Sequence, residues 1–185
     1  MNARSLSLVF GGPKGVGPDV GDVRIVITDR SGAGKILASP HRCAEFAYVV
    51  SIGDPGERPP AGWRKTPCRL RLEFRDRLLE SDGGPTKRDV ERLIRFARTI
   101  ERGNGGVLVH CQGGISRSTA AGAIILAVLL GPGREADVLR EVYRLQPQAL
   151  PNGRMLQHAD TALRRDGALM RAGALQAEAG RRTRG

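Results

Sequence analysis

Short runs of apolar and β-branched residues alternate with longer amphipathic stretches along most of the chain. Four of the short runs are bounded by turn-forming residues and have the length and composition of β-strands. They cover residues 23–28, 46–52, 68–74 and 106–110. The third run alternates polar and apolar side chains, which predicts one solvated face. The other three are mainly apolar and β-branched, which predicts buried strands.

Helical spacing of apolar residues begins after the third strand. The stretch 85–101 has Pro85 near its start and Gly103 just past its end, as a helix often does. Its apolar positions recur every three or four residues: Val90, Leu93, Ile94, Ala97 and Ile100. Three more helices are predicted at 116–130, 134–145 and 154–164. The order β, β, β, α, β, α, α, α predicts an α/β fold with a mainly parallel central sheet flanked by helices.

The 185 residues suit one globular domain, which the pattern places at 22–166. Residues 1–21 are punctuated by glycine and proline and show little periodicity, so we expect a poorly ordered arm or an edge element. Residues 167–185 are rich in alanine, glycine and arginine. They predict a basic tail, as a frayed helix or a disordered segment.

Charge changes this picture by pointing to anionic partners. Thirty Lys and Arg residues against nineteen Asp and Glu give a formal net charge of +11. Such a protein attracts phosphoesters, nucleic acid or acidic lipid headgroups, and the charge alone does not choose among them. The longest apolar run, 120–130, is about half of what a bilayer span needs. With no segment typical of a signal peptide, we expect a cytoplasmic protein without a membrane span.

The stretch that carries chemistry lies between the fourth strand and the helix that follows it: HCQGGISRS, residues 110–118. A strand, a glycine-containing loop and a helix N-terminus together form an anion site, because backbone N–H groups converge and the helix end adds partial positive charge. Cys111 at the strand end faces that field, which favours its thiolate over its thiol. The loop therefore predicts a phosphate site with a nucleophilic sulfur.

Three other side chains in this stretch fit the same chemistry. Arg117 can fold back over the loop and offer a planar fork of donors to two phosphate oxygens. Gly113 and Gly114 allow backbone conformations that aim N–H groups inward. The hydroxyl of Ser118 can bond the sulfur of Cys111 when the thiolate leaves.

The stretch resembles the HCxxGxxR[ST] signature of the protein tyrosine phosphatase superfamily, which it matches at His110, Cys111, Gly114, Arg117 and Ser118. The resemblance extends over about residues 46–163. It implies a strand, phosphate loop and helix core, with the phosphate held by Arg117 and by backbone amides of Gln112, Gly113, Gly114, Ile115, Ser116 and Arg117. His110 is expected to be a hydrogen-bonding residue behind the loop rather than a proton donor.

The superfamily also implies a general-acid aspartate about thirty residues or a little more before the cysteine. Asp76 and Asp82 both fall in that range. The compact dual-specificity branch places its aspartate just beyond the third strand, which favours Asp76 and leaves Asp82 as the alternative. Residues 144–147 and 151–152 resemble that branch's Arg-Pro and Pro-Asn segment, although Gln146 interrupts it. Asn152 is expected either to brace the loop or to cap the last helix.

The reaction that the resemblance implies is hydrolysis of a phosphomonoester through a cysteinyl-phosphate intermediate, with no metal ion or other cofactor. The expected substrate is a phosphorylated protein or peptide. Three alternatives remain open: an RNA 5′-phosphatase or other polyanion phosphatase, a catalytically weak phosphate-binding module, and a sulfur-transfer or arsenate-reducing use of the loop. Arsenate reduction would need Cys43 or Cys68 to form a disulfide with Cys111. The variable loop positions carry no Lys or Arg, which disfavours inositol phospholipids as substrates.

Overall fold

The computed structural model describes residues 23–182 of the chain and contains a four-stranded sheet with helices on both faces. The predicted N-terminal arm at 1–21 lies outside the described residues. The strands are β1 (Ile25–Thr28), β2 (Phe46–Gly53), β3 (Cys68–Glu73) and β4 (Gly106–His110). The helices are α1 (Arg30–Ala38), α2 (Pro40–Cys43), α3 (Lys87–Ala97), α4 (Arg117–Leu130), α5 (Glu135–Leu145), α6 (Gly153–Leu163) and α7 (Ala168–Arg182). Two 3₁₀ turns lie at Trp63–Lys65 and Glu80–Asp82.

The sheet has the order β1-β4-β2-β3, and every neighbouring pair is parallel. Thr28 and Ser51 each lie beside His110, and Gly53 lies beside Glu73, so all four strands end at one edge. This is the edge at which open parallel sheets bind ligands. The predicted fold class, α/β with a mainly parallel sheet, is confirmed, and the described sheet is parallel throughout.

Two apolar layers cover the sheet, because the side chains of buried strands alternate between its faces. Val26, Val49 and Leu108 point into the smaller layer with α1 and α2. Their strand neighbours, including Ile25, Ile27 and Val109, point into the larger layer with helices α3 to α7.

Helix α4 lies at the centre of the larger layer and is apolar nearly all round, as a helix enclosed by other elements should be. Gly122 lets it approach the sheet closely: a Cβ at this position would lie only 2.5 Å from Ile27 Cδ1. The start of α4, and the signature loop before it, are therefore held against the end of the sheet by close packing.

Two helices absent from the predicted order follow β1. Helix α1 begins at an N-cap, where the side chain of Asp29 accepts a hydrogen bond from the Gly32 N–H, and α2 begins at an N-cap formed by Ser39. Gly32 and Gly34 weaken the helical signal of α1 in the sequence. Its stability comes instead from Ala33, Ile36 and Leu37, which are buried against the sheet.

The predicted tail from residue 167 differs from the structure, in which α7 packs on α5 and α6. Leu169 and Ala172 are buried in the larger apolar layer. Both carboxylate oxygens of the buried Asp160 accept hydrogen bonds from the first turn of α7, at Leu169 N–H and Met170 N–H. This tertiary cap satisfies backbone donors that the local sequence leaves without a partner. No helix within residues 23–182 is both long and apolar enough to cross a bilayer.

Candidate active site

The signature loop (residues 111–116) connects the end of β4 to the start of α4, at the edge where all four strands end. Four of its carbonyl groups accept hydrogen bonds from neighbouring elements. The Arg30 N–H donates to Gln112 O at 3.3 Å, and the Gln146 side-chain amide donates to Gly114 O at 3.1 Å. The backbone N–H groups of Leu150 and Asn152 donate to the next two carbonyl groups. These bonds fix the loop in the concave shape that an anion site requires.

Gly114 has a φ of 71°, a left-handed conformation that favours glycine. A Cβ at this position would lie 2.7 Å from the backbone nitrogen of Asp29, so glycine is also needed for the close approach to the end of β1. Gln112 and Gly113 are exposed and form the open side of the loop. The signature glycine, Gly114, thus lies where a neighbouring backbone comes close, whereas a Cβ at Gly113 would meet no atom within 4 Å.

Cys111 is 2% exposed and lies at the floor of the loop. Its Sγ accepts a hydrogen bond from the Gly114 N–H at 3.3 Å and lies 3.2 Å from Ser118 Oγ. The first turn of α4 begins directly beyond, so the positive end of that helix adds to the field at the sulfur. The N–H group, the hydroxyl and the helix end together make this position suitable for a bound anion.

Arg117 is 4% exposed although it is charged, and its Nη1 makes two hydrogen bonds. Nη1 donates to Asp54 Oδ1 at 2.6 Å and to the Phe74 carbonyl at 2.7 Å. The Nε of the same guanidinium is buried and has no hydrogen-bond partner among the described residues. A buried donor without a partner is costly, and an oxygen of a bound phosphate would satisfy it.

Asp76 lies three residues beyond the end of β3 and contacts Ser116, the last residue of the signature loop. Its Oδ1 accepts hydrogen bonds from Ser116 Oγ at 2.7 Å and from Asn152 Nδ2 at 2.9 Å. Both bonds go to the same oxygen, so Oδ2 has no hydrogen-bond donor among the described residues. An oxygen in that state can carry the proton that a general acid gives up.

Asn152 both braces the signature loop and caps α6, the two roles that the sequence left open. Its Oδ1 accepts the Met155 N–H at 3.1 Å and caps α6, while its backbone N–H bonds Ser116 O at 3.3 Å. Its Nδ2 holds Asp76 and also donates to the Arg77 carbonyl at 3.3 Å. A single side chain therefore ties the end of α6 to the loop that carries Asp76.

Asp82 lies farther along that loop, in the 3₁₀ turn Glu80–Asp82. Its carboxylate accepts a hydrogen bond from Ser81 Oγ at 3.2 Å and is exposed. No hydrogen bond within residues 23–182 connects it to the signature loop. Of the two aspartates, the structure brings Asp76 to the loop and places Asp82 in a turn.

His110 is buried at the end of β4, with Nδ1 3.5 Å from the Cys111 carbonyl oxygen. The pKa of this imidazole is lowered to about 4, mainly by burial. The hydrogen bond with the Cys111 carbonyl opposes this shift, and the nearby positive charges of Arg71 and Arg30 contribute to it. The ring is therefore neutral at physiological pH. A neutral imidazole here fits a structural position behind the loop.

Cys43 and Cys68 lie at the opposite edge of the sheet from Cys111. Cys68 begins β3 beside Tyr48, whereas His110 lies beside Ser51, three residues later along β2. Cys68 and Cys111 are thus about four residues apart along the strands, or roughly 13 Å. A disulfide needs Cα atoms within about 7 Å. Cys43 precedes β2 and contacts Thr66 Oγ1, so it too is at the far edge, and neither pairing is possible in this fold.

Asp54, which pairs with Arg117, was not among the residues predicted for the site. It follows β2 in the sequence Gly53-Asp54-Pro55-Gly56, which is typical of a turn. The signal that could have found it is its position, because a polar residue directly after a buried parallel strand lies at the ligand-binding edge. The end of its loop is held by Glu57, which bonds the Asp54 N–H and Arg30.

The fold is that of the tyrosine and dual-specificity phosphatases. Tk-PTP in its active form is 21% identical, with a TM-score of 0.55 over 78% of this chain and 93% of that chain. Human DUSP28 is 20% identical, with a TM-score of 0.53 over 76% and 88%. PTPMT1 in complex with PI(5)P is 18% identical, with a TM-score of 0.55 over 83% and 96%. No family model and no curated protein matches the sequence. The predicted strand, loop and helix core is thereby confirmed as a fold.

Proposed function

We propose that this protein is a cysteine-dependent phosphomonoester hydrolase of the dual-specificity type, which acts on phosphorylated protein or peptide through a cysteinyl-phosphate intermediate. The observation that carries the proposal is the surroundings of one sulfur. Cys111 Sγ lies between the Gly114 N–H and the hydroxyl of Ser118, at the start of α4. The buried Arg117, with its unpartnered Nε, lies in the first turn of that helix.

Substrate binding in this proposal uses the concave side of the signature loop. The phosphate dianion accepts hydrogen bonds from the backbone N–H groups between Gln112 and Arg117. The guanidinium of Arg117 supplies the charged donors, since Asp54 and Phe74 hold its Nη1 and leave the Nε edge for the phosphate oxygens. Donors fixed in advance stabilise the charge of the transferring group without reorganisation.

Phosphoryl transfer begins when the thiolate of Cys111 attacks the phosphorus in line with the leaving oxygen. The S–P bond forms as the P–O bond breaks, and the electron pair of that bond goes to the leaving oxygen. Asp76 gives its proton to this oxygen from Oδ2, while Ser116 and Asn152 hold Oδ1. The products of the step are the free alcohol or phenol and a cysteinyl-phosphate.

Hydrolysis of the intermediate reverses the role of Asp76. The ionised carboxylate takes a proton from a water molecule, whose oxygen attacks phosphorus as the S–P bond breaks. The electron pair returns to Cys111 as a thiolate, which the Ser118 hydroxyl stabilises at 3.2 Å. Inorganic phosphate leaves, and Asp76 is again protonated. A reducing compartment keeps a nucleophilic thiol from being oxidised, so we propose a cytoplasmic location.

A protein or peptide substrate is favoured over a polyanion by the character of the open side of the loop. Gln112 and Gly113, which are exposed there, carry no charge. A substrate with several phosphates would need further cations at these positions to offset its charge.

The test is hydrolysis of a small aryl phosphate monoester, with the corresponding diester as a comparison and chelator present throughout. We expect turnover of the monoester alone, complete loss in Cys111→Ser, and a rate within about twofold of wild type in the matched control Cys68→Ser. Hydrolysis that survives in Cys111→Ser, or that chelator abolishes, would refute the mechanism. A wild-type protein that binds the monoester without hydrolysing it would instead be a phosphate-binding module.

A further inference from the structure

Exposed leucines gather beside the candidate active site. Of the large hydrophobic side chains that are exposed in the described part of the chain, Leu78, Leu79 and Leu150 are 62%, 57% and 65% exposed. All three belong to the two loops that contact the signature loop. We call these three residues the leucine rim. The remaining exposed large hydrophobic residues are on α7.

Hydrogen bonds tie the leucine rim to the catalytic residues. The backbone N–H of Leu150 donates to Ile115 O in the signature loop at 2.9 Å. Leu78 and Leu79 follow Asp76 by two and three residues, and Asn152 joins the two loops through its bonds to Asp76 and to the Arg77 carbonyl. A substrate whose phosphate occupies the loop therefore passes next to these leucines.

The loop that carries Leu78 and Leu79 is itself well anchored. The Arg75 N–H donates to Gly83 O at 2.7 Å and closes the loop, and the Gly84 N–H donates to Leu79 O at 3.0 Å inside it. The leucines are thus held outward by a bonded backbone. Exposed apolar side chains that are held in place next to a binding site are a typical mark of ligand contact.

Local charge helps to decide what covers the rim. The loop from residue 75 to 82 has two arginines against three carboxylates, and the loop from 146 to 152 has no charged residue. One of those carboxylates, Glu80, pairs with Arg154 of α6, so the charges around the rim balance although the whole chain has a net charge of +11. An anionic lipid surface or a nucleic acid would gain no net attraction here. A neutral apolar group gains from burying the leucines.

On these grounds, and on the basis of the function proposed above, we propose that the leucine rim selects phosphopeptides that carry a large apolar residue next to the phosphorylated residue. An extended peptide advances about 3.3 Å per residue. With the phosphate in the signature loop, the residues on either side of the phosphorylated residue lie at the opening of the site, which is bordered by the loops that carry Leu78, Leu79 and Leu150. The rim is a specificity surface for the flanking residue, and it takes no part in the chemical steps.

The test compares two phosphotyrosyl peptides that differ only beside the phosphotyrosine, with leucine on both sides in one and serine on both sides in the other. We expect wild type to prefer the leucine peptide about fivefold to tenfold in kcat/KM, as burial of part of an aliphatic side chain would give. The double variant Leu78→Ser, Leu150→Ser should bring this ratio close to one. The ratio cancels any change that a variant causes in the chemistry common to both peptides.

Leu175→Ser is the matched control, since Leu175 is 67% exposed on α7 and should leave the ratio at its wild-type value. A wild-type ratio of one, or a preference that persists in the double variant, would overturn the inference. A third result would also overturn it: wild type sediments with vesicles of phosphatidylglycerol and phosphatidylcholine, the double variant does not, and the peptide ratio is the same in both. The rim would then be a lipid contact. Hydrolysis of the aryl phosphate tests the proposed function separately, since that substrate has no flanking residue.

Discussion

The two edges of the sheet each carry cysteine and arginine, and they differ in what surrounds them. At the carboxyl edge, Cys111 receives an N–H hydrogen bond beside a helix start, and Arg117 is buried with one donor that has no partner within residues 23–182. At the amino edge, Cys68 is exposed, and Arg69 stacks on Trp63 while it bonds the carbonyls of Arg64 and Thr66. The residue types are the same, but only the carboxyl edge combines convergent donors with burial. In a parallel sheet, the end of the strand at which a residue lies therefore decides whether it can belong to a ligand-binding site.

Among the variants that test this difference between the two edges, Arg117→Lys is expected to lose the most activity. An ammonium has no planar fork, so the bidentate hold on the phosphate is lost, and we expect kcat/KM for an aryl phosphate to fall about 10³-fold. Arg69→Lys at the amino edge is the matched change and should leave the rate within about twofold. Equal losses in the two variants would show that the edges do not differ as described.

The second effect is expected from Asp76→Asn. Loss of the proton donor should lower kcat about 10²-fold for an alkyl phosphate, whose leaving group needs the proton, and less for an activated aryl ester. The limb of the pH profile that requires a protonated acid should also disappear. Asp82→Asn is the control, because Asp82 lies in a turn. If Asp82→Asn shows the loss and Asp76→Asn does not, the general acid is Asp82.

The third effect concerns stability and the buried His110. Its pKa in the folded protein is about 4, against an ordinary value of 6.5, so the unfolded chain takes up the proton first as the pH falls. Stability is therefore lost from pH 6.5 downwards, and the loss reaches about 2 kcal/mol at pH 5. The free energy of unfolding, measured with denaturant at pH 7.5 and at pH 5, should fall by about 2 kcal/mol less in His110→Asn than in wild type. His41→Asn, which alters an exposed histidine, should retain the full decrease.

The smallest effect is expected from Asp54→Asn. The amide keeps an oxygen acceptor for Arg117 Nη1 but loses the charge, so the guanidinium is held less firmly. We expect kcat/KM to fall about fivefold to tenfold, with Asp54→Ala somewhat lower, because the pair is partly exposed to solvent. A matched reference is Glu73→Gln, which alters the exposed pair with Arg71. A rate unchanged in Asp54→Ala would show that Phe74 alone holds the guanidinium.

Much of this fold follows from local pattern. The β4 strand, the signature loop and α4 each have an unambiguous signal, since a continuous apolar strand and an apolar helix flank a glycine-containing loop. Helices α1 and α7 escape the pattern for a physical reason. Two glycines weaken the helical signal of α1, and the small alanine and glycine side chains of α7 give that helix only a weak apolar face. Buried side chains such as Leu37 and Leu169 stabilise the two helices through contacts distant in sequence.

The residues of the candidate site likewise fall into those that the local sequence predicts and those that only the folded chain brings together. Cys111 and Arg117 lie in one continuous stretch, so spacing alone brings them together. Asp76 could be expected from its distance along the chain, but its contacts with Ser116 and Asn152 are formed only by the folded loops. Asp54 lies 63 positions from Arg117, and the pairing depends on β2 being the neighbour of β4. The order of the strands depends on pairing across the whole sheet, so no local motif could predict this contact.

The most direct test of the central claim, that Cys111 is the nucleophile, is to trap the cysteinyl-phosphate. Asp76→Asn should be mixed with an activated aryl phosphate, denatured within a turnover and analysed by mass spectrometry, because loss of the general base slows hydrolysis of the intermediate. We predict one phosphoryl group on the peptide that contains Cys111, and none in the double variant that also carries Cys111→Ala. A phosphoryl group on another residue, or rapid release of phenol without a phosphorylated protein, would contradict the account.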